Sequence, residues 1–339
     1  MRITVLSGGI GGARFVRGLL HHLASEPTAD RGPDGAHEVT VVANTADDIT
    51  LHGLRVCPDL DTLMYTLGGG VHPEQGWGRE GETFSVAGEL AAYGAGPDWF
   101  TLGDRDLATH LVRSRMLGLG YPLSQVTAAL CDRWDTGVRL LPMTDDPVET
   151  HVVVDAEEVD VDAEDGDAQQ AIHFQEWWVR WHAVPRAHRI VAVGAEQSTP
   201  GPGVLDALRS ADVVLLPPSN PVVSIGTILA VPGIRDALRG TRAPVVGVSP
   251  IIGTAPVRGM ADACLRAIGL EPSPMAVAGL YADLLDGWLV HSSDDHLDGR
   301  TVPGGRAPVR ALPLLMTDVG TTAEIASAAM VFAAEVAAR

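Results

Sequence analysis

The chain has no lysine: all 24 basic residues are arginine, set against 43 acids in 339 residues. That absence excludes a P-loop, whose lysine reaches the terminal phosphates, and it removes Schiff-base and lysine-base chemistry. Cysteine is scarce too. Cys57, Cys131 and Cys264 are far apart and in no paired metal spacing, which points to unpaired thiols in a reducing cytosol. The net charge of −19 argues against nucleic acid as a partner. Part of that charge sits in Asp155 to Asp167, which carries eight acids and reads as a solvated loop. The apolar run Ile3 to Leu6 is too short for a signal h-region, and no run approaches a membrane span. A cytoplasmic protein without membrane contact is therefore expected. An acidic protein that handles anions must build positive charge locally, from arginines, helix dipoles or a metal.

What is present begins at the first eighteen residues. Ile3 to Leu6 predicts a strand, Ser7 to Gly12 holds Gly8, Gly9, Gly11 and Gly12, and helical spacing resumes from Arg14 to Leu20. Strand, glycine loop and helix together form a phosphate-binding device, because glycines admit close approach and the helix start offers free N–H groups with a positive dipole. A tight turn without a ligand is the competing reading. Gly9-Ile10-Gly11 opens a dinucleotide fingerprint, but Arg14 stands in place of its third glycine. The next predicted strand, Val39 to Ala43, also runs into Asn44-Thr45 and not into a ribose-binding acid. A nicotinamide cofactor is disfavoured on both counts.

Four carboxylates follow, Asp47, Asp48, Asp59 and Asp61, near predicted strand exits. Phosphates tolerate such a cluster only with a cation between, so the group suggests Mg²⁺ bound by oxygen ligands. The competing reading has Asp59 or Asp61 capping the helix that continues over Leu63 to Leu67. Glu82 to Thr136 reads as helical pieces without a strand, including Arg105 to Leu117 and Leu123 to Trp134. Within it, Asp104-Arg105-Asp106 follows a glycine turn, where a cap with a local ion pair is the plain alternative. Arg113 and Arg115 face either phosphate or solvent. Thr144-Asp145-Asp146-Pro147 has turn chemistry. His151 to Val154 and Ala171 to Trp181 predict two strands flanking the acidic loop, with Trp177, Trp178 and Trp181 as packing residues.

The C-terminal half alternates predicted buried strands (Ile190 to Val193, Val213 to Leu216, Val245 to Val248, Trp288 to Val290) with helices (Val204 to Arg209, Ile234 to Leu238, Met260 to Ile268). A last strand over Val309 to Met316 and a capping box of Thr321 with Glu324 close the pattern. The expected fold is α/β with a mostly parallel, doubly wound sheet. Its core covers 1–81 and 186–339, and a helical insertion with a small β-hairpin covers 82–185 as an acceptor-binding lobe.

In this order the motifs SGGIGGARF at Ser7, PDLDT at Pro58, LGDRDLATHLVR at Leu102, LPMTDDPVETH at Leu141, HFQEWWVR at His173, PPSNPVVSIG at Pro217 and SPIIG at Ser249 resemble the 2-phospho-L-lactate transferase family. The closest likeness is to its actinobacterial phosphoenolpyruvate transferase branch, which serves biosynthesis of the deazaflavin coenzyme F-420. The resemblance implies a Rossmann-like core, Mg²⁺, a guanosine diphosphate-linked donor and 7,8-didemethyl-8-hydroxy-5-deazariboflavin as acceptor. An enolpyruvyl-phosphate or 2-phospho-L-lactate group would pass to the ribityl hydroxyl with release of GMP, and a homodimer would be in keeping with the family. Combined with the residue pattern, it assigns Gly8, Gly9, Gly11 and Gly12 to the diphosphate and Asn44, Thr45, Ser219 and Asn220 to the nucleoside. Asp48 and Asp61 are assigned to the metal, with Asp61 also meeting the acceptor hydroxyl as a base. Thr101, Asp104, Arg105, Asp145 and Asp146 are assigned to the acceptor. An NAD(P)-dependent oxidoreductase and a non-catalytic guanine-nucleotide-binding protein are the alternatives.

Overall fold

A computed structural model describes residues 1–25, 37–159 and 169–338. In chain order, β1 (Arg2–Ser7) leads into α1 (Gly9–Ser25), and β2 (Glu38–Ala43) into a hairpin of β3 (Ile49–Leu51) with β4 (Leu54–Val56) and then α2 (Pro58–Leu67). Helices α3 (Ser85–Ala92), α4 (Asp104–Gly118) and α5 (Leu123–Trp134) precede β5 (Arg139–Pro142), β6 (Glu149–Asp155), β7 (Gln169–His173) and β8 (Arg189–Val193). Next come α6 (Val204–Ser210), β9 (Val213–Leu216), α7 (Ile225–Ala230), α8 (Ile234–Gly240) and β10 (Val245–Val248). The short β11 (Ile251–Ile252) and β12 (Ala255–Pro256) lead to α9 (Ala261–Ala267), α10 (Pro274–Leu280), β13 (Gly287–His291), β14 (Val309–Leu312) and α11 (Val319–Ala337).

Seven strands form one sheet in the order β14-β13-β10-β9-β1-β2-β5, and every pairing in it is parallel. Because helices cover both faces, the strands are buried on both and mostly apolar. Leu6, Val42, Val214 and Leu216 point to one core with α6, α7 and α8, while their neighbours Val5, Val41 and Leu215 point to the other with α1, α2 and α11. Strand order reverses between β1 and β9, so this is the doubly wound Rossmann arrangement, whose ligands lie in the crevice at that switch point.

Several elements depart from expectation. Helix α1 begins at Gly9, so three of the four glycines are its first turn and not a loop before it. Strand β5 occupies the sheet edge beside β2, just ahead of the turn expected at Thr144 to Pro147, in a stretch where no strand is expected; it comes from within 82–185. Strand β8 pairs antiparallel with β6 in a separate three-stranded sheet, β7-β6-β8, and its residues alternate in exposure. Strand β7 stops at His173, and Glu176–Arg180 form a π-helical turn. There the Trp177 indole is buried and donates to the Pro185 carbonyl (2.9 Å), so Trp177 packs the core as expected. Helix α11 is capped by Asp318, whose carboxylate accepts from Thr321 N–H (2.8 Å), and not by Thr321. By length and composition α11 could cross a membrane, with mean hydropathy 1.3. It nevertheless packs on α1, burying Ile325, Ala329 and Phe332. Of the acidic segment, Asp155 ends β6 and Ala156–Glu158 make a 3₁₀ turn; the portion 160–168 lies outside the described residues, as does 26–36 of the connection after α1.

Candidate functional site at the sheet switch point

The carboxyl ends of β1 and β9 meet at Gly8 and Ser219. The Ser219 hydroxyl accepts from Gly8 N–H (3.2 Å) and donates to the Gly8 carbonyl (2.8 Å), locking the two strand exits together. The approach is too close for side chains. A Cβ on Gly8 would lie 2.5 Å from an Asp59 oxygen, one on Gly11 would strike the Pro218 carbonyl, and one on Gly12 would strike the Ser7 hydroxyl. Gly9 has φ +65°, in the left-handed region. Its N–H is held by Asp59 Oδ1 at 2.8 Å, so a carboxylate from α2 sits at the positive end of α1. The N–H groups of Ile10 and Gly11 have no acceptor within the helix.

Around this turn the polar side chains are buried and unevenly satisfied. Asn44 is saturated: its amide donates to Asp59 Oδ2 (2.9 Å) and to the Val223 carbonyl (3.1 Å). Its oxygen accepts from Ala46 N–H (3.0 Å) and the Thr227 hydroxyl (2.7 Å). Asn44 thus ties β2 to the Val222–Thr227 segment. Asn220 likewise accepts from Val222 N–H (2.9 Å) and Val223 N–H (3.2 Å), forming the turn before α7. By contrast Ser7 Oγ, Thr45 Oγ1, Asp47 Oδ1 and both oxygens of Asp48 are buried without a hydrogen-bond partner. Burial, then the charges of Asp59 and Asp48, push the Asp47 carboxyl well above the usual range. Burial raises Asp48 to about 7 against the pull of Arg55, whose Nη2 is 3.6 Å away, and it raises Asp59 to about 6.

Asp61 is differently placed. Both its oxygens are taken by the guanidinium of Arg113, through Nη1 (3.1 Å) and a shorter bond from Nη2, and the pair is almost fully buried. Burial opposes the charge on Arg113, but Asp61 overrides it and raises its pKa. Behind the pair lie His110, with Nε2 3.3 Å from Asp106, and Tyr65, whose hydroxyl donates to Asp106 (2.6 Å). Arg113 is therefore neither a solvent-facing nor a phosphate-facing arginine.

The remaining predicted residues fall into separate groups. Asp104 caps α3 by accepting from Ser85 and Val86 N–H (both 3.0 Å), and the Thr83 hydroxyl, then these N–H groups, hold its carboxyl below the usual range. Arg105 donates its side chain to the Glu80 carbonyl (3.0 Å), and Thr101 is exposed just before α4. Asp145 accepts from the Ser124 N–H and hydroxyl (2.6 and 2.8 Å) at the start of α5. Asp146 accepts from Thr199 N–H and hydroxyl (2.7 and 2.9 Å). Gly8 to Gly12, Asn44, Asp59 and Ser219 thus come together, whereas Asp104 with Arg105, Asp145 and Asp146 each serve a local junction. Reasoning on sequence overlooked Arg55 and the pair His151 and His173, whose rings stand 5.7 Å apart, with His173 Nε2 3.3 Å from the Asp48 carbonyl. Only the alternation of β6 and β7 hints at that pairing.

Among the described residues no three His, Cys, Asp or Glu side chains surround one metal position. Mg²⁺ takes one or two carboxylates together with substrate phosphates and water. The orphaned oxygens of Asp47 and Asp48 supply hard donors of the right charge. Two surface cavities, of about 330 and 580 Å³, lie away from this edge: the first near Thr241 and Asp286 at the amino ends of β10 and β13, the second between α9 and Trp177.

The family model for 2-phospho-L-lactate transferase CofD matches residues 3–310. A phosphoenolpyruvate transferase of Thermobifida fusca is 61% identical, with 100% of each chain covered. One from Kitasatospora aureofaciens is 59% identical over 99% of both. Two crystal structures of a Bacillus halodurans protein share the fold, with TM-scores of 0.56 and 0.58 at 16% identity, covering 97% of this chain and 99% and 98% of theirs.

Proposed function

The chain belongs to the 2-phospho-L-lactate transferase family, and we propose that it moves an enolpyruvyl-phosphate group from a guanosine diphosphate-linked donor to the ribityl hydroxyl of 7,8-didemethyl-8-hydroxy-5-deazariboflavin, in coenzyme F-420 biosynthesis. The hydroxyl passes its proton to the Asp61 carboxylate as its oxygen bonds to the distal phosphorus, the bridging P–O bond breaks and GMP leaves, so a phosphodiester joins deazaflavin and three-carbon acid. The names of the relatives favour the enolpyruvyl over the lactyl form. The observation that carries this reading is the meeting, at one strand edge, of free first-turn N–H groups on α1 and buried carboxylate oxygens that accept no hydrogen bond. Anion donors and acidic oxygens coexist there most easily with a phosphate and a divalent cation between them.

In this reading the first turn of α1 orients the diphosphate and Ser219 holds the turn in place. Thr45 and Asn220 meet the nucleoside. Asn44 acts through the Asp59 carboxylate that it positions. Asp48, with Asp47 in place of Asp61 whose oxygens Arg113 takes, would hold Mg²⁺, which would supply charge neutralisation for the transferring phosphate. Phosphoryl-type transfer depends chiefly on positioning and electrostatics, so a lysine-free site suffices. Arg113 orients Asp61, which meets the acceptor hydroxyl only by giving up part of that pairing. The acceptor lies on the side of Thr101, Asp104, Arg105, Asp145 and Asp146. Three unpaired thiols accord with a cytoplasmic location.

The test is incubation with acceptor, Mg²⁺ and either donor, with chromatography for GMP and mass analysis of the flavin. GMP together with a heavier flavin is expected. GDP binding without turnover would favour the non-catalytic alternative, and thermal protection by NADH in place of GDP would favour the oxidoreductase.

A further inference from the structure

The glycine-rich stretch after α2 crosses the start of α1. A Cβ placed on Gly76 would lie 2.9 Å from Ile10 Cγ2, 3.5 Å from Arg14 Nη2 and 3.6 Å from Arg258 Nη1. Two guanidinium groups, one from α1 and one from the loop after β12, therefore converge on a single point beside the first turn of α1. Arg258 also donates to the Gln75 carbonyl (2.6 Å), which ties the stretch down. Side chains on a helix lean toward its amino end, so Arg14 reaches back toward the turn that Ile10 begins.

Neither arginine is engaged by a carboxylate among the described residues. Other arginines near this edge are engaged: Arg113 holds Asp61, Arg55 lies between Asp48 and Glu149, and Arg105 donates to the Glu80 carbonyl. The local charge is felt by Arg17, whose pKa is lowered by burial and then by Arg14. In a chain of net charge −19, uncompensated guanidinium groups brought together mark a place for an anion.

We propose that Arg14 and Arg258 form a subsite for the carboxylate of the three-carbon acid carried by the donor. This rests on the reading above, which sets the diphosphate at the first turn of α1. The N–H groups and the cation answer the phosphate charge there, and the carboxylate is the one remaining anionic group on the donor. Two planar guanidinium groups suit it.

Calorimetric titration of GDP and of the enolpyruvyl donor into the wild type, Arg14→Gln and Arg258→Gln tests the assignment, with steady-state KM for the donor as a second readout. Each substitution raises the donor Kd and KM by about 10- to 100-fold, the range for a lost charge-assisted contact, while the Kd for GDP stays within about twofold. Arg258→Lys recovers part of the loss. Equal weakening of GDP and donor would overturn the assignment in favour of a phosphate contact, and unchanged donor binding would overturn it outright. Failure of the wild type to bind GDP would instead defeat the placement of the diphosphate. Arg258 is exposed in a loop, so its variant retains the fold and decides the matter even if Arg14→Gln melts early.

Discussion

Breaking the Asp61–Arg113 pair offers the sharpest check on how this site is built. Both groups are almost fully buried and bonded through two contacts, so Asp61→Asn leaves a guanidinium in the interior with no counter-charge. Losing one partner of such a pair costs about 3–5 kcal/mol. Unfolding entropy of about 2.1 cal/mol/K per residue over 339 residues comes to about 0.7 kcal/mol/K, so the melting midpoint should fall by about 4–7 °C. Arg113→Met should cost a similar amount. The double variant Asp61→Leu with Arg113→Met should regain most of it, because apolar groups of similar size replace a buried pair at little cost. Differential scanning calorimetry of wild type, Asp61→Leu, Arg113→Met and the double variant closes the cycle. A single variant melting within about 1 °C of wild type, or a double variant equal to the sum of its parts, would refute a structural role for the pair. Full loss of turnover in Asp61→Asn with an unchanged midpoint would leave Asp61 its role at the acceptor hydroxyl and remove the structural one.

Three further outcomes follow from the geometry. Gly11→Ala puts a methyl group against the Pro218 carbonyl; a cost of about 1–3 kcal/mol is expected, with GDP affinity by titration falling more steeply than the melting midpoint. Asp48, raised to about 7, binds more protons when folded than when unfolded, so its contribution to stability falls as pH rises from about 4 to 7. The midpoint of metal-free Asp48→Asn should therefore gain on wild type across that window, and a flat difference would remove the argument. Asp318→Ala deletes the cap of α11 and should cost about 1 kcal/mol, seen as a drop of about 1–2 °C in the midpoint with donor KM unchanged.

The sheet was legible because Ile3 to Leu6, Val213 to Leu216 and Val245 to Val248 are β-branched runs buried on both faces, a pattern that a parallel sheet covered by helices requires and few other arrangements produce. The same pattern misled at β8, since an apolar run of four does not reveal whether its neighbours run parallel or antiparallel. Strand β5 was hidden by its brevity and by Pro142 at its end. Helix α1 begins earlier than glycine propensity suggests because Asp59 supplies a cap from fifty positions away, and no local signal encodes it. At the site, the glycines and Ser219 could be read from strand exits, but the partner of Asp61 lies fifty-two positions along the chain. Identical-looking aspartates thus diverge: Asp48 without a hydrogen-bond partner, Asp59 as a helix cap, Asp61 neutralised. Only tertiary contacts separate them.

The bond between Gly8 and Ser219 spans 211 positions, and that between Asn44 and Thr227 spans 183. A nascent chain that has made β1 and α1 alone has no crevice, and joining β9 to β1 requires closure of a long loop, which is slow. On the proposed function, nucleotide binding is accordingly a property of the finished tertiary structure, and the number of GDP sites titrated per chain would count the molecules that have completed it. Ligand added during refolding draws the population toward that closed form by mass action, so yield on renaturation should rise with nucleotide concentration.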